Sequence, residues 1–158
     1  MTGASDNLHA SAVQLAGKGV IIFGASGSGK SSLALELLRE PLRRGCQASL
    51  ISDDRVNLRL INDCLFASPP SALAGLIEVR GSGVHRIGYV ASALLHLAIE
   101  LVDESKAMRT PPEAPRMIAH GISLRTLVLP CGQTQACVRA ILSHLGLFYP
   151  VLPLRKSD

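Results

Sequence analysis

Residues 24–31 read Gly-Ala-Ser-Gly-Ser-Gly-Lys-Ser, which fits the spacing G-x-x-x-x-G-K-[ST] at every fixed position. Glycines allow a backbone to curl until several N–H groups converge on one point. A helix opening at Ser31 adds its positive N-terminal end, and the two together form a seat for phosphate oxygens. Lys30 supplies a flexible cation that can reach β- and γ-phosphates, and Ser31 supplies a hydroxyl for Mg²⁺. The candidate nucleotide-binding residues are therefore Gly24, Ala25, Ser26, Gly27, Ser28, Gly29, Lys30, Ser31 and Ser32.

Asp53 and Asp54 end an apolar run, the place from which a carboxylate holds Mg²⁺ beside a phosphate loop. Two adjacent acids can divide the work, one on the ion and one taking a proton from an attacking hydroxyl. The plainer reading is a solvated acidic turn. Glu78 and Arg80 lie two apart in a short apolar stretch, so on a strand they share a face. They could orient metal and triphosphate or form a structural ion pair. His9 is either a tail residue or a site residue. His85, His96, His120 and His144 show no metal-ligand spacing.

Those residues need elements to hold them. Val20-Ile21-Ile22-Phe23 reads as a strand covered on both faces, with Ala16–Gly19 as a turn before it and weak strand character over His9–Leu15. A helix is predicted from Ser32 to Arg44, with Leu33, Leu37, Leu38 and Leu42 inward, and with Pro41 ending or kinking it early. The strand at 48–52 completes a strand–helix–strand unit, which predicts two parallel strands in one sheet. Further strands are predicted within 56–66, at 76–80, at 95–101 (a period of two) and at 124–129, with a closing helix at 133–145. Residues 1–8 read as a frayed tail, and Asp103–Arg116, with three prolines, as a mobile connection.

The 158 residues suit one domain, and a chain of this length buries roughly 70% of its unfolded surface without staples. At 47% apolar, with a mean hydropathy of +0.31, a largely disordered chain is excluded. Aromatics make up 3%, which counts against single-strand nucleic-acid binding by base stacking. The net charge of +4 comes from scattered arginines and not from a basic stripe, so no nucleic-acid partner is expected. Cys46, Cys64, Cys131 and Cys137 include no C-x-x-C pair and read as reduced thiols. Neither a signal peptide nor a membrane-length apolar run is visible, which predicts a soluble cytoplasmic protein.

In order, His9, Gly17-Lys18-Gly19-Val20, the loop 24–31, Ile51-Ser52-Asp53-Asp54-Arg55-Val56 and Ile77-Glu78-Val79-Arg80-Gly81-Ser82-Gly83-Val84 resemble the catalytic domain of bacterial HPr kinase/phosphorylase. The resemblance spans roughly residues 9–145 and is that of the short form without the separate N-terminal domain. It implies a P-loop-containing α/β fold with a mixed sheet, related to that of phosphoenolpyruvate carboxykinases, over 1–158 as a single catalytic domain. It further implies an ATP- and Mg²⁺-dependent kinase for a serine of the phosphocarrier protein HPr, with phosphate-dependent removal in reverse. By the same resemblance Asp53 is the general base, supported by His9. Lys30 and Arg80 handle phosphates, Ser31, Asp54 and Glu78 lie near Mg²⁺, and the protein assembles as a hexamer. Ser32 departs from the acidic residue common in that family, and Ser82 from an apolar one.

Two other functions fit the residues. A P-loop kinase for small molecules needs an arginine-bearing lid, and the segment 103–116 offers only Arg109 and Arg116. A non-catalytic ATP-responsive regulatory module needs no base, so Asp53 speaks against it.

Overall fold

Val20, Ile21 and Ile22 are fully buried, and the strand they form sits near the centre of a nine-stranded mixed sheet. The computed structural model describes residues 6–147. In chain order the strands are β1 (Asp6–His9), β2 (Ser11–Leu15), β3 (Lys18–Phe23), β4 (Ala48–Ser52), β5 (Arg55–Ile61), β6 (Cys64–Ser68), β7 (Leu76–Val79), β8 (Gly83–Arg86), β9 (Ala93–Val102), β10 (Met117–Ala119) and β11 (Ile122–Pro130). Helix α1 spans Lys30–Arg43 and α2 spans Thr134–His144.

The main path of the sheet runs β1-β5-β6-β9-β3-β2-β4, and β11 pairs β9 in parallel with β10 on its other side. Side chains alternate across β3 and β9. Val20, Ile22, Leu97, Ile99 and Leu101 face a core shared with α1 and α2. Ile21 and Ala98 face a second core closed by Val56, Leu58 and Leu65, where β5 and β6 curl over the sheet. Leu95 joins that core because the β3–β9 register shifts by one residue between Leu95 and Leu97, which interrupts the alternation there. Alternation of this kind is the period-two rule applied to strands buried on both faces.

Four expectations change. The polar stretch Asp6–Leu8 is not a tail: it pairs with β5 as an edge strand, and Asn7 Nδ2 donates to Asn57 Oδ1 at 2.8 Å; residues 1–5 lie outside the described residues. β3 and β4 belong to one sheet but are not neighbours, because β2 lies between them and is antiparallel to both. Pro41 sits inside α1, which continues to Arg43. Its fixed φ is helical, and it forgoes only one hydrogen bond in the last turn, while its ring is buried. Leu42 is exposed rather than inward.

The connection 103–116 contains one 3₁₀ turn, Glu104–Lys106. It is fastened to the body where Met108 N–H donates to the Val128 carbonyl at 3.0 Å and Arg116 forks onto Glu100 at 2.6 and 3.2 Å. The β7–β8 hairpin stands apart as a two-stranded sheet. Among the described residues no helix is long and apolar enough to cross a membrane.

Candidate active site

β3 runs out at Phe23 into the glycine-rich loop. A Cβ at Gly24 would strike the Ser28 hydroxyl and come within 3.2 Å of Leu101 Cβ, so a side chain there would have to displace that hydroxyl and push Leu101 aside. Gly29 has φ +97°, the left-handed conformation that lets the chain turn directly into α1. That helix starts at Lys30 with no side-chain cap and no acid in its first turn, which leaves its N-terminal N–H groups and positive end unopposed. Lys30 Nζ donates to the carbonyls of Gly24 at 2.9 Å and Ala25 at 3.1 Å, and keeps a third donor.

Asp53, at the turn just past β4, is only 5% exposed. Its Oδ1 accepts two hydroxyls, Ser11 Oγ from β2 and Ser31 Oγ from α1, each at 2.7 Å. Its Oδ2 accepts the backbone N–H of Glu78 in β7 at 3.1 Å. One carboxylate thus fastens together β2, α1, the end of β4 and β7.

Neighbouring residues on a regular strand point to opposite faces, yet Asp53 and Asp54 line the same cavity. The cause is a three-residue γ-turn centred on Asp54. Arg55 N–H donates to the Asp53 carbonyl at 2.9 Å, and Asp54 has φ +95°. A non-glycine residue in that conformation is strained and persists only where its surroundings fix it. Here a reciprocal pair of backbone bonds with Ala10, both 3.1 Å, does so.

His9 enters the site because β1 places it opposite Arg55, next to this turn. Its Nε2 lies 3.3 Å from Asp54 Oδ1. The expected partner was Asp53; the observed one is Asp54.

The resulting cavity holds about 380 Å³ and is lined by His9, Ser11, Ser26, Gly27, Gly29, Lys30, Ser31, Ser32, Asp53, Asp54, Glu78 and Arg80. Glu78 and Arg80 both face it, and no ion pair joins them. Gly24, Ala25 and Ser28 are not among the lining residues. The first two hold Lys30 through their carbonyls, and Ser28 Oγ is buried without a hydrogen-bond partner. Ser11 is the site residue that sequence reasoning missed. Its one signal is a lone hydroxyl between Ala10 and Ala12, two positions after His9.

A phosphate loop leading from a central strand of a mixed sheet, with a buried acid bonded to the loop serine, defines a P-loop nucleotide-binding fold. Residues 2–109 match the model of the HPr Serine kinase C-terminal domain, and the chain belongs to that family. It is also similar to a solved structure described as the Hpr(Ser) kinase/phosphatase from Coxiella burnetii. The TM-score is 0.71 and the identity 28%, covering 90% of this chain and 97% of that one. Family membership supports a kinase or phosphorylase role.

Proposed function

We propose that the chain is an ATP- and Mg²⁺-dependent serine kinase for an HPr-like phosphocarrier protein, with phosphate-dependent dephosphorylation in reverse at the same site. The observation that carries this reading is the buried Asp53 carboxylate, hydrogen-bonded to the serine of the phosphate loop. It couples the place for a triphosphate to a group able to take a proton. In this reading the loop N–H groups, Lys30 and Arg80 hold the phosphates. The acceptor serine oxygen attacks the γ-phosphorus while its proton passes to Asp53. The bond from the γ-phosphorus to the bridging oxygen breaks, and ADP leaves.

Ser31, Asp54 and Glu78 would hold Mg²⁺. The donor set fits that ion, because all three offer hard oxygen atoms. Among the described residues no three His, Cys, Asp or Glu side chains form a ready cage. Mg²⁺ is usually bound through one or two carboxylates together with substrate phosphates and waters. Its contribution is charge neutralisation on the triphosphate.

One observation favours a second assignment of the two acids. Asp53 already accepts three hydrogen bonds, whereas Asp54 is 68% exposed and has His9 beside it. In that assignment Asp54 takes the proton and Asp53 steadies the metal side. Loss of proton transfer in Asp54→Asn, with weakened Mg²⁺ dependence in Asp53→Asn, would select it.

The proposal extends to one catalytic domain over 1–158, assembled as a cytoplasmic homo-oligomer, hexameric by family resemblance. Incubation with γ-labelled ATP, Mg²⁺ and HPr from the same organism should place label on a serine of HPr. Label on a metabolite and not on HPr would replace this reading with a small-molecule kinase. Tight ATP binding with no transfer would replace it with a regulatory module.

A further inference from the structure

Ser11 has no packing reason to be a serine. It is fully buried at the floor of the cavity, on a strand whose neighbouring core positions are Ala10, Ala12 and Val13. Burying a hydroxyl there without a partner would destabilise the fold. Its partner is Asp53 Oδ1, at 2.7 Å.

An ionised carboxylate offers about two lone-pair sites on each oxygen. Oδ1 receives both Ser11 and Ser31, whereas Oδ2 receives only the Glu78 N–H. The two serines differ in their duties. Ser31 stands at the start of α1 within the phosphate loop, where its oxygen can also face a cation held by the triphosphate. Ser11 opens β2, which is held between β3 and β4, and has no other role in view. It is the donor that remains fixed whatever the loop does.

Resting on the kinase reading above, we infer that Ser11 is a positioning residue: its hydroxyl, with that of Ser31, fills Asp53 Oδ1 and so reserves Oδ2 for the acceptor's proton. Without it two donors hold the carboxylate instead of three, Ser31 of the phosphate loop on Oδ1 and the Glu78 N–H on Oδ2. The carboxylate can then tilt about its last torsion, and the open lone pair is less narrowly aimed. General-base transfer requires that aim, since the base must stand about 2.6–3.2 Å from the oxygen it deprotonates.

The test uses the whole chain with Ser11→Ala, Ser11→Cys (similar volume, weak donor) and Ser11→Thr (hydroxyl retained). We expect Ser11→Ala and Ser11→Cys to lose about tenfold or more in kcat for phosphate transfer, the worth of a hydrogen bond to a charged group. The KM for ATP should stay within about twofold, because no contact of the loop with phosphate is removed. Ser11→Thr should keep most of the wild-type kcat. A crystal structure of Ser11→Ala should show the Asp53 carboxylate rotated from its wild-type plane. Wild-type kcat in Ser11→Ala overturns the inference, and so does an unrotated carboxylate. Equal loss of kcat in Ser11→Thr, accompanied by a lowered melting temperature, reduces Ser11 to packing and overturns it as well. If the wild type transfers nothing to any seryl acceptor, the kinase reading fails by itself, and the carboxylate's orientation in Ser11→Ala still decides the positioning claim.

Discussion

Replacing Asp53 by Asn sets two N–H donors into a position that receives donors from three sides. If the amide nitrogen takes the place of Oδ2, it faces the Glu78 N–H, which cannot turn round. If it takes the place of Oδ1, it faces the Ser11 and Ser31 hydroxyls, which can rotate to accept but must then find new homes for their own protons. Ser11 is fully buried and Asp53 5% exposed, so water does not readily supply those homes. At least one charge-assisted hydrogen bond is lost, which costs about 1.5–3 kcal/mol. For a domain of this size that lowers the melting temperature by about 3–12 °C. Transfer to HPr should fall by about 10²–10⁴, the usual worth of a general base. ATP affinity should change little, because Lys30 and the loop N–H groups are untouched. Single-turnover transfer with labelled ATP, nucleotide titration and calorimetric melting measure the three quantities on one preparation. A folded Asp53→Asn protein that transfers phosphate within about tenfold of the wild-type rate would refute the reasoning. Asp54→Asn, at an exposed pair with His9, should cost well under 1 kcal/mol of stability.

Lys30→Ala should abolish transfer and weaken ATP binding, because it removes the cation that the Gly24 and Ala25 carbonyls hold at the mouth of the loop; an isothermal titration unchanged from wild type would count against the loop's assignment. Burial, aided by the neighbouring Cys131, pushes the Cys137 thiol up to about 11, so at pH 8 it should be the slowest cysteine to alkylate, while exposed Cys46 reacts readily; peptide mass spectrometry reads the order. Burial and the nearby Arg125 hold the His144 imidazole below its ordinary 6.5. The unfolded chain then binds more protons than the folded one as pH falls through that value, so His144 makes stability decline on acidification. Urea melts of His144→Gln should show a flatter dependence between pH 7 and 5 than wild type.

The phosphate loop could be read directly because its code is local: glycines at fixed offsets, then Lys and Ser, between an apolar run and an amphipathic one. Glu78 and Arg80 do line one cavity, but β7 ends at Val79, so Arg80 reaches it from the turn that follows and not as a face-mate on the strand. What escaped the sequence depends on pairings between distant segments. The chain does not announce that β2 slips between β3 and β4, because register is set by which faces bury and not by any neighbouring residue. Asp6–Leu8 looked like a tail because an edge strand can be polar when one side pairs and the other meets water. The same long-range pairing brings His9 to Asp54 and not to Asp53, through the alignment of β1 with β5. Ser11 stayed invisible for a related reason. A single serine among alanines gains meaning only when a carboxylate 42 residues away lies on its hydroxyl.

The central claim is that a bound triphosphate presents its terminal group to Asp53. A crystal structure of the chain with Mg²⁺ and a non-hydrolysable ATP analogue tests it most directly. The account predicts the triphosphate within the 24–31 loop and the γ-phosphorus facing Asp53. A seryl oxygen in line for attack would then stand about 2.6–3.2 Å from Oδ2. A nucleotide seated elsewhere, or an Asp53 carboxylate turned away from the γ-phosphate, would contradict it.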